Sequence, residues 1–140
     1  MDISTSFRIC SSALAAQRAK MDVIASNLAN VETTRTPEGG PYKRKTVVLT
    51  AEPVAGAFGT ALNAAVRAVK IDSIAEDGTV KMMYEPTHPD ADNKGYVGKP
   101  NVNTIMEMAD MITASRNYEA AVTAFDATKN MALRALDMGK

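Results

Sequence analysis

One histidine and one cysteine are present, the side chains most often recruited for proton transfer or nucleophilic attack. His88 lies in the run Glu85-Pro-Thr-His-Pro-Asp-Ala-Asp-Asn-Lys-Gly95. A catalytic histidine needs a nucleophile or a carboxylate at a recognisable station. Cys10 is far away in sequence and sits on an apolar seam, where it reads as a small hydrophobic filler. The same run places Asp90, Asp92 and Gly95 at positions 1, 3 and 6 of an EF-hand loop, but Lys94 falls where a ligand belongs and Asn101 where the bidentate Glu belongs. Asp90, Asp92 and Asn93 suit the capping of turns between two prolines, not calcium. Gly39-Gly40 lacks the spacing and the preceding strand of a phosphate loop. Lys43-Arg44-Lys45 is the only basic run, and it fits a solvated strand edge whose charge blocks edge-to-edge pairing. Asn27 and Asn30 flank Leu28 near a helix end, either exposed or bonded to backbone and neighbouring helices. The expectation is no catalytic residue, no cofactor and no metal.

Composition narrows the class. The 140 residues are 46% hydrophobic, with no Trp, three Phe and nine Met. That is a globular composition with pliable, Ala- and Met-rich helix seams. Sixteen basic residues balance sixteen acidic ones. A neutral chain is a poor general nucleic-acid binder and meets little repulsion on self-association. The single cysteine excludes an internal disulfide framework. The N-terminus has no basic region followed by an apolar run, so no cleaved secretory signal is expected. No run approaches the roughly 20 apolar residues of a membrane span, so no membrane insertion is expected. On these rules alone the chain would be placed as soluble and cytoplasmic.

Two long helices enclose a β-rich middle. Ile3, Phe7, Cys10, Leu14, Gln17, Met21, Ile24, Leu28 and Val31 recur at alternating steps of four and three, all apolar except Gln17. This is a coiled-coil seam. The helix is expected from about Ser4, with Asp2 or Ser4 as N-cap, to about Val31, where Thr, Pro and Gly residues end it. The second helix is expected from Thr104, as N-cap of a capping box with Glu107, to about Met138, with Gly139 as stop. Its stripe is Met108, Met111, Ser115, Tyr118, Val122, Phe125, Lys129, Ala132 and Leu136, flanked by Ile105, Ile112 and Leu133. Between the helices, 42–50 and 66–74 read as strands, 51–65 as an Ala/Gly loop, Asp77-Gly78 as a hairpin turn returning through 79–84, and 85–101 as a long loop.

The fold class expected is α+β: N- and C-terminal helices pairing as a coiled-coil-like layer (1–33 and 102–140), with a small β-rich segment at 34–101. The middle carries too few large apolar residues for a robust core of its own. Long helices without tertiary packing are marginal. The helices either form a self-sufficient hairpin with the β segment docked on it, or pair and still need neighbours. The residues leave both open.

Three motifs in order carry a resemblance. Ser26-Asn27-Leu28-Ala29-Asn30 closes the first helix, Pro100-Asn101-Val102-Asn103 leads to Glu107-Met108 and Ser115-Arg116-Asn117-Tyr118, and Tyr84-Glu85-Pro86-Thr87-His88-Pro89 precedes Gly95-Tyr96-Val97. Together these resemble the bacterial flagellar rod and hook proteins, in particular a short, proximal-rod member without large inserted domains. The resemblance implies a structural subunit of the basal-body rod, polymerising through its terminal helices into the shaft that crosses the periplasm and transmits torque. It implies other copies and other rod proteins as partners, export through the flagellar type III apparatus without a cleaved signal, and proximity to peptidoglycan. The subunit interface is then expected among Ile3, Phe7, Leu14, Met21, Ile24, Asn27, Leu28 and Asn30 of the first helix. On the second helix it is expected among Met108, Met111, Tyr118, Val122, Phe125, Leu133 and Leu136. Two other classes are a helical-hairpin adaptor or regulator, which predicts helices ordered in the isolated chain, and a small enzyme, for which no three polar residues suggest a pocket.

Overall fold

The computed structural model describes residues 3–53 and 66–139. Two long helices, α1 (Ile3–Ala29) and α2 (Thr104–Asp137), bracket four strands: β1 (Arg44–Pro53), β2 (Arg67–Asp77), β3 (Val80–Tyr84) and β4 (Tyr96–Pro100). The α+β class and both helices agree with the sequence reading. The Asp2 cap and most of the 51–65 loop expected from sequence lie outside the described residues.

The helices run antiparallel. Phe7, near the start of α1, packs edge-on against Phe125 in the second half of α2 with ring centroids 5.0 Å apart. Asn27, near the end of α1, donates to Glu107 in the first turns of α2. The buried and half-buried residues of α2 include Glu107, Met111, Ala114, Tyr118, Ala121, Phe125, Thr128 and Ala132, with Asp110 and Ser115 at their flank. Their steps of four and three make them the seam toward α1.

β1 and β2 form an antiparallel ribbon pairing Arg44 with Asp77 at one end and Pro53 with Arg67 at the other, with an irregularity between Val48 and Leu49. The ribbon lies along α1. Asn27 binds the backbone of Lys45, and the amide of Val69, paired to Ala51, donates to Ser12 Oγ at 3.3 Å. α1 rises about 22 Å from Ser12 to Asn27 and β1 about 20 Å from Lys45 to Ala51, so the two run side by side. α1 is thus covered by α2 and by the ribbon.

The expected hairpin through Asp77-Gly78 does not form. β3 pairs with β4, not with β2. A tight hairpin turn needs a positive φ that Gly usually supplies, and Gly78 is not among the positive-φ glycines. Instead Asp77 Oδ1 accepts from the amide and the hydroxyl of Thr79, at 2.9 and 2.6 Å, and the chain turns a corner into a second sheet. Part of the expected 85–101 loop is therefore strand β4. Its connection closes at Gly95, where φ is +81° and a Cβ would stand 2.9 Å from the Tyr84 ring.

Candidate functional site

Glu107 is 1% exposed. One oxygen accepts from Arg44 Nε at 2.7 Å and faces a second guanidinium nitrogen at 2.6 Å. The other accepts from Asn27 Nδ2 at 3.0 Å. Asn27, equally buried, uses its amide as a substitute peptide. Nδ2 also donates to the Lys45 carbonyl at 2.8 Å, and Oδ1 accepts from the Lys45 amide at 2.9 Å and from the Tyr42 hydroxyl at 3.0 Å. Ser26 Oγ lies 3.1 Å from the same hydroxyl. Three elements thus meet in one buried polar joint: the end of α1, the start of β1 and the first turns of α2. Burial of a carboxylate is tolerable because it is both paired and hydrogen-bonded.

This arrangement corrects two sequence expectations. Glu107 does not close a capping box with Thr104. Asn103 is the N-cap, its side chain accepting from the amides of Ile105 and Met106. Glu107 follows one position too late to reach back and is claimed by Arg44. Nor is the basic run wholly a solvated edge: Lys43 is exposed, but Arg44 is the counter-charge of the buried carboxylate. The partnership of Arg44 and Glu107 was missed in the sequence. The signal available was an ionisable residue in a row with Ala114, Ala121 and Thr128 at intervals of seven, a seam position that demands a partner.

The residues expected at a subunit interface fall into two groups. Ile24 and Asn27 are buried within the chain, and Phe7, Leu14, Met21, Leu28, Asn30, Met111, Tyr118 and Phe125 are half-buried there. Asn30 serves the helix end locally, donating to the Ser26 carbonyl at 2.9 Å and accepting from Thr33 at 3.2 Å. Ile3, Met108, Val122, Leu133 and Leu136 are exposed. The stripe read on α2 therefore combined two rows. Met111, Tyr118, Phe125 and Ala132 face α1, whereas Met108, Val122 and Leu136, with Ile105, Ile112 and Leu133, lie on the outer side and remain exposed. α2 also outruns α1, with 34 residues against 27. Its final turns expose Met131, Leu133, Leu136 and Met138.

The remaining polar features are structural. His88 Nδ1 accepts from the Asp90 amide at 3.1 Å, Asp90 accepts from Thr34, and Asp92 Oδ1 accepts from the amides of Lys94 and Tyr96. Asp92 thus caps its turn as expected, while Asp90 reaches across to the segment after α1. Lys99 clamps Glu85 at 2.8 Å and Glu32 at 3.1 Å. Glu85 sits below its ordinary 4.5 chiefly because Lys99 donates to it, and Lys99 sits above its ordinary 10.5 because Glu85 and then Glu32 accept from it. Thr36, Pro37, Tyr42, Lys43, Lys45 and Glu76 line an open groove of about 310 Å3. No described helix is long and apolar enough to cross a membrane.

Comparison with known proteins matches these parts to a class. The flagella basal body rod protein family matches residues 7–35, and the C-terminal family of flagellar basal body rod FlgEFG proteins matches residues 93–138. The two matches fall on α1 and α2 with the segments that tie them to the joint, the pattern of a flagellar axial subunit. Full-length relatives are more specific. The chain is 44% identical to the flagellar basal-body rod protein FlgC of Bacillus subtilis, covering 96% of this chain and 97% of the relative. It is 42% identical to that of Borreliella burgdorferi, with 97% of each covered, and 39% identical to that of Salmonella typhimurium, with 96% of each covered. The chain belongs to the FlgC family of flagellar basal-body rod proteins.

Proposed function

We propose that the chain is a structural subunit of the flagellar basal-body rod, joined to its neighbours through its terminal helices, with no catalytic task. The observation that carries this reading is the outer row of α2. Ile105, Met108, Ile112, Leu133 and Leu136 are each at least half exposed, although the seam beside them is already occupied by α1. A helix with one stripe satisfied and a second left bare suits a packed multi-subunit layer. Among the described residues the buried apolar set is also thin: Ala16, Ile24, Val97, Val102 and Ala114. Neighbours that bind only the folded chain would supply the missing stability by mass action.

In this reading 1–33 and 102–140 form the core layer and 34–101 the outer segment. Contacts between unlike faces propagate as a helix and do not close into a dimer, which gives a shaft crossing the periplasm and passing torque through dense packing. A chain whose helices are weakly held alone also suits passage through the type III export apparatus without a cleaved signal. Hydrogen exchange on the dilute chain tests the reading. Slow exchange around Asn27 and Glu107, where both helices are bonded into the joint, and fast exchange in 131–138, beyond the end of α1, are expected. Strong protection along both helices through 138 at micromolar concentration would favour a self-sufficient adaptor. In cells, Leu28→Asp should abolish rod assembly while the β segment stays soluble, and normal motility in that mutant would overturn the assignment.

A further inference from the structure

One of the two rows that α2 turns toward α1 is poor at specifying register. It repeats small side chains at intervals of seven: Ala114, Ala121 and Thr128. A slide of one heptad puts Ala121 where Ala114 was and Thr128 where Ala121 was, which changes little in volume. α2 is longer than α1 by one heptad, 34 residues against 27, so the slide loses no overlap. In the second row Tyr118 would take the place of Met111, Phe125 that of Tyr118 and Ala132 that of Phe125, so the Phe7–Phe125 contact would be lost with the burial of one ring. Gln17, the polar residue midway along α1, leaves its buried Oε1 without a hydrogen-bond partner and so fixes nothing.

One member of the repeating row is different, and it is Glu107. A one-heptad slide would bring Ala114 against Asn27 and strip Asn27 and Arg44 of their carboxylate. Two buried or half-buried donors would then be unpaired, an outcome that buried polar groups penalise far more than apolar ones do. Single buried polar contacts are known to fix the register of helices whose apolar seam is degenerate.

We propose that Asn27 and Glu107 are register-setting residues: their buried hydrogen bond, anchored by Arg44, acts with the Met111–Tyr118–Phe125 row and the short link from β4 to select one of two heptad alignments of α1 and α2. The selection fixes the height of the outer row of α2 relative to the β segment. It thereby decides which groups a neighbouring subunit meets at each level. The use made of this register rests on the rod-subunit reading; the register itself does not.

The test measures a distance, not a stability. Spin labels are placed on exposed cysteines at Ala15→Cys and Ala135→Cys in a Cys10→Ser background of the full chain, and their separation is read by pulsed electron resonance. With the joint intact one narrow distance is expected. In Asn27→Leu/Glu107→Leu a second population displaced by about 10 Å, the rise of one heptad, is expected. Glu107→Gln keeps one acceptor oxygen in place of two, so one of the two donors loses its partner, and the second population should be smaller than in the double leucine variant. Asn27→Ser, a milder break of the same contact, should open the second population in case the double variant fails to fold. A single distance in every folded variant, or a broad distribution with the joint intact, overturns the proposal. Rod assembly in cells is scored separately: an unchanged distance pattern overturns the register proposal whatever the motility, and normal motility in a variant with a second distance population counts against the rod-subunit reading alone.

Discussion

At one end of the helix pair, where α1 gives way to β1, Glu107 is bonded to Asn27 and Arg44 and Asn27 to the Lys45 backbone, and Asn27 and Glu107 have almost no access to water. At the other end α2 runs past α1 and leaves Leu136 69% and Met138 84% exposed. The first end is polar and finished within the chain. The second is apolar and is finished by nothing among the described residues. The difference separates two jobs that a single coiled-coil stripe would confound. Directional bonds define how the subunit is put together, because an unpaired buried polar group is costly. Non-directional apolar surface is left where partners are to be added, because it accepts any well-shaped neighbour.

The comparison breaks most severely at Asn27. Asn27→Asp removes the two N–H donors and sets a second carboxylate beside that of Glu107 and the Lys45 carbonyl. A loss of roughly 3–5 kcal/mol is expected, the scale of an uncompensated buried charge. Taking a proton would restore a donor, so the deficit should shrink as pH falls. Chemical denaturation at two pH values reads both the size and the sign; a loss below about 1 kcal/mol would mean that the joint is not the finished end.

A smaller effect is expected between the two ends, at the ring pair. Phe125→Ala should cost about 2 kcal/mol, less than a fully buried Phe because both rings keep some solvent contact. The midpoint of denaturation should fall without a change in slope. An equal loss at Phe125 and Asn27 would erase the distinction between a locked end and a looser middle.

Much of this was legible in the residues. The heptad steps gave both helices and their span, because a stripe with strong Ala-rich propensity leaves few alternatives. Two things were not legible. Asn103 and Thr104 both suit an N-cap, and only the demand of Arg44 for Glu107, a contact between residues far apart in sequence, decides between them. Asp77-Gly78 has the composition of a hairpin turn, yet Thr79 captures the Asp77 side chain and redirects the chain. In both places a local motif was outbid by a hydrogen bond that composition alone does not announce. The stripe on α2 was ambiguous for a different reason. Two rows one residue apart both satisfy steps of three and four, and which of them faces α1 depends on the partner.

The Lys99 clamp sharpens the comparison at smaller amplitude, because its groups face solvent. Glu85 titrates below its usual value in the folded chain, so its contribution is complete above 4.5 and is lost as pH falls through the depressed value. Lys99 titrates above its usual value, so its contribution is complete below 10.5 and is lost as pH rises through the raised value. Between those limits the clamp is pH-independent. Lys99→Met should flatten the acid and alkaline shoulders of a Tm-against-pH curve and leave the plateau shape unchanged. An undiminished acid shoulder would assign it to other carboxylates.

The smallest effect on the lone subunit is expected at the unfinished end. Leu136→Asp alters a side chain with 69% of its surface already in water, and exposed substitutions usually change stability by less than about 0.5 kcal/mol. The negative charge also falls in the last turn of α2, where the helix dipole disfavours it by only a few tenths of a kcal/mol. Denaturation of the dilute chain should therefore barely register the change. Assembly should register it strongly, because a charge in a packed apolar contact is left without a partner. The pair of measurements, unfolding on the purified chain and rod formation in cells, gives opposite signatures for the two ends. Asn27→Asp lowers both. Leu136→Asp lowers assembly alone, and a variant that assembled normally would show that the overhang of α2 is bare because nothing binds it.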